Sequence, residues 1–424
     1  MLAINACHRC GIDGRGQRGV WHRHLPAKAL HNLAHTASAV TKLLCAGVSI
    51  FIMCCVSNAV PAATAQAAPP TLADLGRALF FDSNLSLSRT QSCASCHDPA
   101  GAFSDTRDNG VDGAASLGAD GRALGDRNTP SIAYAALVPA LTRNAQGHYV
   151  GGLFHDGHAR DLAEQAGQPM LNALEMQMPG PQAVVTRVRE NAQYVVGFTR
   201  YFGASVFDDT QTAFAAVGAA LSAFERTPLF VAFDSRYDRY LRGELTLTAD
   251  EEQGRTLFFS TLTNCTSCHL QDTSNTRPHD SFSNFRYFNI GLPANVALRA
   301  QNGLGAKHID RGLGDNPLVN DAREAGKFRV PTLRNVALTA PYMHNGVFKD
   351  LRTAVFFYNK YLVNTAANAV NPETGRPWGP PEVAANIDDE LLRQGQPLDE
   401  ERITLIITFL RTLTDQRLEP LLKK

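Results

Sequence analysis

The chain has 424 residues, 44% of them hydrophobic and 19% charged, with 40 basic and 40 acidic side chains. That length and composition predict a folded soluble protein of two or three domains. No basic tract marks a nucleic-acid surface, so that class of partner is excluded.

The charge is unevenly spread. Residues 1–67 carry six Lys or Arg against Asp13 alone, leaving 34 basic and 39 acidic residues in the remainder. Within this first stretch LLCAGVSIFIMCCVS (43–57) is an apolar run, short for a membrane span. Basic residues precede it, and NAVPAATAQAAPP follows with small-residue cleavage sites ending at Ala65 or Ala67. The pattern predicts an N-terminal signal segment over 1–67 and export to the periplasm. Five of the nine cysteines fall inside it, including the isolated CHRC at 7–10. The mature chain keeps Cys93, Cys96, Cys265 and Cys268, all in CxxC pairs, and no thiols remain for disulfides.

Next along the chain comes an internal repeat. GRALFFDSNLSLSRTQSCASCH (76–97) and GRTLFFSTLTNCTSCH (254–269) share a GR-x-LFF helix end, a polar loop and CxxCH, predicting two related units. TADE (248–251) is a capping box ahead of the second unit's helix. Apolar spacing predicts helices over 184–203, 210–227, 351–362 and 399–414, separated by Gly/Asp/Asn/Pro-rich stretches at 98–150, 270–326 and 364–397. No run of alternating strands stands out. The expected fold is mostly α: two cytochrome-c-like haem domains with long loops, at 68–227 and 248–424, joined by a linker at 228–247.

CxxCH carries chemistry because two thiols one helical turn apart each form a thioether with a porphyrin vinyl group, and the next histidine reaches the iron. Two c-type haems are therefore expected, held by Cys93, Cys96 and His97 and by Cys265, Cys268 and His269. The alternative is a zinc site built from both CxxC pairs, which has no need of a histidine after each pair. The second axial ligands decide the function, because an iron capped on both faces carries electrons whereas an open one does chemistry. No histidine lies between His97 and His148, and beyond residue 67 the methionines are Met170, Met176, Met178 and Met343. Met170, Met176 and Met178 are expected to pack rather than ligate.

GRALFF…CASCH, RNTPS (127–131), GGLFHDGHARDL (151–162), FERT (224–227), RYDRYLRGE (236–244) and FRVPTLRNVALTAPYMHNGVFKDLRTAVFFYNKY (328–361) together resemble the bacterial di-haem cytochrome c peroxidase family, and most closely its MauG branch. The resemblance runs from about residue 71 to the C-terminus. It implies an open N-terminal haem, since the loop 98–147 lacks the family's removable histidine. It implies Tyr358 as the second iron's distal ligand, where ordinary members place Met. A phenolate there is hard and anionic and favours the higher oxidation states of iron. In DLAEQAGQPMLNALEMQMPG (161–180) it implies Glu175 as the acid–base residue for peroxide, with Gln165 and Pro169 lining the pocket. It also implies Ca²⁺ bound by Asn128 and the carbonyls of Thr339 and Pro341, an all-oxygen set. One position departs from the family. FHDGH carries His155 where many members have an inter-haem Trp, so His155 either couples proton and electron transfer or hydrogen-bonds a propionate.

The expected function is thus periplasmic reduction of H₂O₂ at the first haem with electrons relayed through the second. The donor would be a small cytochrome c, a cupredoxin or an oxidisable protein. Two alternatives stand beside it. One is a MauG-type maturation enzyme that oxidises a partner to form a protein-derived quinone cofactor, which His155 and the scarcity of tryptophan weaken. The other is a non-enzymatic electron carrier, which would need both irons closed. No membrane contact is expected beyond the signal segment.

Overall fold

The structure is a computed structural model that describes residues 69–270 and 279–423. The signal segment expected over 1–67 lies outside the described residues. No helix among those described is long and apolar enough to cross a membrane.

Helices dominate. Among the described residues the strands are three two-residue antiparallel pairs: Thr142–Arg143 with Tyr149–Val150, Tyr287–Phe288 with Phe328–Arg329, and Val370–Asn371 with Arg376–Pro377. The GR-x-LFF repeat forms two matching helices, Leu72–Phe80 and Ala249–Phe258. Thr248 caps the second through the expected box with Glu251.

Each repeat helix crosses a later helix at a glycine. Gly76 lies against the backbone of Thr210–Glu225, where an added Cβ would sit 1.9 Å from the Ala220 carbonyl oxygen and 3.0 Å from Phe224 Cβ. Gly254 does the same to Glu400–Arg411, at 2.0 Å from the Leu405 carbonyl oxygen and 3.0 Å from Phe409 Cβ. With no side chain in the way, the backbones close and the flanking phenylalanines interlock: Phe80 on Phe224 at 5.4 Å and Phe258 on Phe409 at 5.2 Å between ring centroids. Two hydrophobic cores result. One gathers Leu75, Phe80, Met170, Phe198, Leu221 and Phe230; the other gathers Tyr237, Phe258, Phe282, Ile403, Phe409 and Leu413. The stretch 228–247 contributes Phe230 to the first core and Tyr237, on helix Arg236–Leu241, to the second.

Two expected helices are broken. The span 184–203 divides into Pro181–Arg189 and Ala192–Phe202, because Asn191 turns extended and caps the second piece through Gln193 N–H. The span 351–362 divides into Leu351–Phe356 and Asn359–Leu362, with Phe357 and Tyr358 between them.

Candidate haem centres

Each CxxCH ends a short helical turn, and its histidine is fixed from behind. His97 Nδ1–H donates to the Phe103 carbonyl and His269 Nδ1–H to the Phe282 carbonyl, both at 3.1 Å. Phe103 and Phe282 reach these positions with left-handed backbones, φ 60° and 54°. The bond fixes the tautomer and leaves each Nε2 unprotonated toward the cavity, as an iron ligand requires. Burial lowers both imidazole pKa values, that of His269 to about 4, so the rings are neutral and able to ligate.

Both turns open on one cavity of about 970 Å³. Every site residue expected from the sequence lines it: both CxxCH motifs, Tyr358, Glu175, Gln165, Pro169, His155, and Asn128 with Thr339 and Pro341. The four cysteines are free, and burial raises the thiols of Cys93 and Cys268 to about 12. Among the described residues no three His, Cys, Asp or Glu side chains converge as they would on a bare metal ion. The zinc alternative therefore has no geometry. Polar atoms left without partners point the same way. Arg329 Nε and His344 Nε2 are buried and unpaired on side chains that line the cavity, and burying such groups is costly unless an anion or acceptor meets them. Two haems, with their propionates, fit this donor set.

A second repeat, missed in the sequence, explains how the two sites differ. LFHDGHARDL (153–162) and YMHNGVFKDL (342–351) fold alike. Leu153 bridges Ala159 as Tyr342 bridges Phe348. Phe154 and Met343 both have positive φ, as do Gly157 and Gly346. Asp161 and Asp350 each cap the following helix, Leu162–Leu171 or Leu351–Phe356. Eight residues beyond each cap stands a side chain that lines the cavity: Pro169 in one unit, Tyr358 in the other. Proline offers no ligand atom. Tyr358 lies near Cys265 and Cys268, and burial pushes its phenol well above the usual range, so without a cation beside it the side chain is neutral.

Around Pro169 the cavity wall is polar. Gln165 shares its helix, and Glu175 follows in the next turn with Oε1 accepting from Asn172 Nδ2 at 2.9 Å. Burial raises the Glu175 pKa, opposed by the Asn172 bond and His158. Met170, Met176 and Met178 are buried in the first core. Glu225 went unread as a site residue, although its place on the apolar face of an Ala-rich helix was a signal. It lines the cavity near Cys93 with Oε2 unpaired, and burial raises it to about 8. The matching position in the other unit is Leu410.

His155 and His344, equivalent in the second repeat, lie at the seam between the two sites. His155 Nε2–H donates to the Asn128 carbonyl at 2.9 Å, and its backbone carbonyl accepts from Arg329 N–H at 2.8 Å. Asn128 N–H in turn donates to the His344 carbonyl at 2.7 Å. Burial, then the charges of Arg127 and Arg329, lower His155 to about 4 despite that bond, so it is neutral. Asn128 and Pro341 both flank Gly113, the first through its Nδ2–H, which donates to the Gly113 carbonyl at 3.2 Å.

Comparison with known proteins agrees with this geometry. The family model described as di-haem cytochrome c peroxidase matches residues 70–246. The chain is 52% identical to the methylamine utilization protein MauG of Paracoccus denitrificans over 369 residues, which cover 86% of this chain and 95% of that one. It is 30% identical to the cytochrome c551 peroxidase of Pseudomonas aeruginosa over 66% of this chain and 70% of the relative. Among solved structures, the di-haem peroxidase BthA of Burkholderia thailandensis superposes with a TM-score of 0.72 at 31% identity, covering 84% of this chain and 88% of that one. With two CxxCH sites opening on one cavity and relatives of that length and identity, the chain belongs to the di-haem cytochrome c peroxidase and MauG family of oxidoreductases.

Proposed function

We propose that this protein reduces H₂O₂ in the periplasm at the site of His97, with electrons delivered through the site of His269 and Tyr358. The observation that carries the reading is the asymmetry eight residues after the two matching caps, Pro169 against Tyr358. Haem, when bound, supplies an iron that exchanges electrons with peroxide and weakens its O–O bond. The rest falls to the chain. His97 would hold this haem through a nitrogen fixed by the Phe103 carbonyl. Pro169 brings no competing ligand atom to the cavity wall, where peroxide would enter. Glu175, held by Asn172 at 2.9 Å, would take a proton from one peroxide oxygen and return it to the departing one. Two electrons and two protons convert one H₂O₂ to two waters. The electrons come from a small cytochrome c, a cupredoxin or an oxidisable protein. Asn128, Thr339 and Pro341 form the proposed Ca²⁺ site at the seam. The leader-like composition of residues 1–67 supports export.

Electron paramagnetic resonance of the resting ferric protein tests this. One high-spin and one low-spin signal are expected, both lost on stoichiometric H₂O₂. Tyr358→Phe should change the low-spin signal and leave both haems attached. Two low-spin signals indifferent to peroxide would sink the enzymatic reading, and an unchanged signal in the variant would remove Tyr358 as a ligand.

A further inference from the structure

We infer that Trp378 is a redox relay, the surface residue through which electrons pass between an outside reductant and the Tyr358 site. The inference rests on the peroxidase reading. The sequence alone argued against a tryptophan route, since Trp378 is the only tryptophan besides Trp21 and falls in a Pro/Gly-rich loop. The fold places it otherwise. The cavity-facing side chains after Asp350 are Leu351, Ala354, Val355, Tyr358 and Leu362, spaced as one helical face. Trp378 covers the opposite side, half-buried, with its ring centroid 5.1 Å from Phe357 and 6.3 Å from Phe356. Phe357 is fully buried and lies 6.1 Å from the Tyr358 ring. Two ring-to-ring steps therefore join the protein surface to Tyr358.

The loop is built to hold the indole there. Val370–Asn371 pairs with Arg376–Pro377. Trp378 N–H donates to the Ala369 carbonyl at 3.1 Å, and Nε1–H donates to the Asn368 carbonyl at 2.7 Å. Beside the indole opens a hollow of about 380 Å³, lined also by Lys360, Tyr361 and Arg393, where a reductant can approach.

The chemistry of the neighbours selects Trp378. Indole can lose an electron and keep its N–H proton. Phenol oxidation at neutral pH releases a proton, and the Tyr361 hydroxyl donates to the Ile290 carbonyl at 2.8 Å, an acceptor that cannot take one. Phe357 carries the Lys360 ammonium 4.1 Å from its ring centroid, which disfavours a positive hole there and leaves it as a bridge. In each pass Trp378 gives one electron toward the Tyr358 site and regains one from a one-electron donor. No bond forms, and two passes supply the two electrons that peroxide needs.

The holoprotein is treated with H₂O₂ in the absence of reductant, digested and analysed by mass spectrometry. Trp378 should gain one oxygen atom, from one peroxide with release of water, ahead of Tyr361 and Tyr342, and added reductant should suppress the gain. In a second experiment, peroxide-treated protein is mixed with a small cytochrome c. Trp378→Phe should slow its re-reduction about tenfold or more, while Trp378→Tyr, with a similar packing loss but an oxidisable ring whose phenol proton can pass to water in the adjoining hollow, should restore most of the rate. A packing role predicts equal losses in both variants, and that result overturns the relay. The preceding reaction of the resting protein with peroxide is timed in the same run. If it does not occur, the peroxidase reading falls and the relay with it. If it occurs and Trp378 stays unmodified with all three proteins re-reduced alike, the relay alone falls.

Discussion

At the scale of single residues, the partly buried surroundings of Glu175 set its pH behaviour. Burial raises its pKa above the ordinary 4.5, with the Asn172 bond and His158 opposing. A carboxylate that must first accept a proton from peroxide works only when ionised. The rate of reaction with H₂O₂ should therefore fall as pH drops through an inflection above 4.5, and be flat on the alkaline side of it. Glu175→Gln removes the base and keeps the shape, so the rate should drop by about 100-fold or more and lose that inflection. Stopped-flow mixing with peroxide across pH reads both effects. An unchanged rate would take Glu175 out of the mechanism. An inflection that survives in Glu175→Gln would assign it to another group, Glu225 at about 8 being the first to examine.

At the scale of elements, the glycine crossings carry the two cores. An alanine at Gly76 or Gly254 would put its Cβ within about 2 Å of a backbone carbonyl oxygen, which no rotamer change can relieve. Each substitution should cost about 1–3 kcal/mol by forcing the helices apart. Hydrogen exchange should quicken in 72–80 and 210–225 for Gly76→Ala, and in 249–258 and 400–411 for Gly254→Ala, with little effect across. Equal loosening of both pairs would mean that the cores do not respond separately. These crossings also mark what was legible in the sequence. The GR-x-LFF repeat, the Thr248 cap and both CxxCH turns are local signals, and all three fold as read. The partner helices Thr210–Glu225 and Glu400–Arg411 share no such string, because their likeness lies in a backbone surface facing a glycine. The break at Asn191 was invisible since both pieces turn apolar residues to the same core, so the period runs across the interruption. The repeat LFHDGHARDL and YMHNGVFKDL was readable, but its few shared letters are hidden by exchanges such as Asp156 for Asn345. Recognising it aligns Pro169 with Tyr358, the pair that separates the two sites.

At the scale of the whole molecule, one arginine ties the residues around the first site to those around the second. Arg127 Nη1 donates to Asp156 at 2.6 Å, and its Nε and Nη2 clasp Asp310 at 2.7 Å each. Both acid side chains are nearly inaccessible, 9% and 3% exposed, so water cannot replace the guanidinium. Burial raises the Asp156 carboxyl, but the bond from His158 and the charge and bond of Arg127 outweigh it, bringing it to about 2; Asp310 is held lower still by Arg127. Carboxyls depressed in the folded state contribute stability above their unfolded value of 3.8, and that contribution is lost as pH falls through the folded value. Arg127→Gln leaves two buried carboxylates without their cation. At neutral pH it should cost about 3–5 kcal/mol. In the variant both carboxyls rise toward or above the ordinary range, so they take up protons before the wild-type ones do. The stability gap between the two proteins should therefore start to close where the variant's carboxyls first take up protons, at or above the ordinary 3.8, and go on closing down to about 2 and below. Urea unfolding of the holoproteins at a series of pH values measures that gap. A gap that stays constant through the acid range would mean that Arg127 stabilises by packing over Phe328, 5.7 Å from its ring centroid, rather than by holding the two carboxylates ionised.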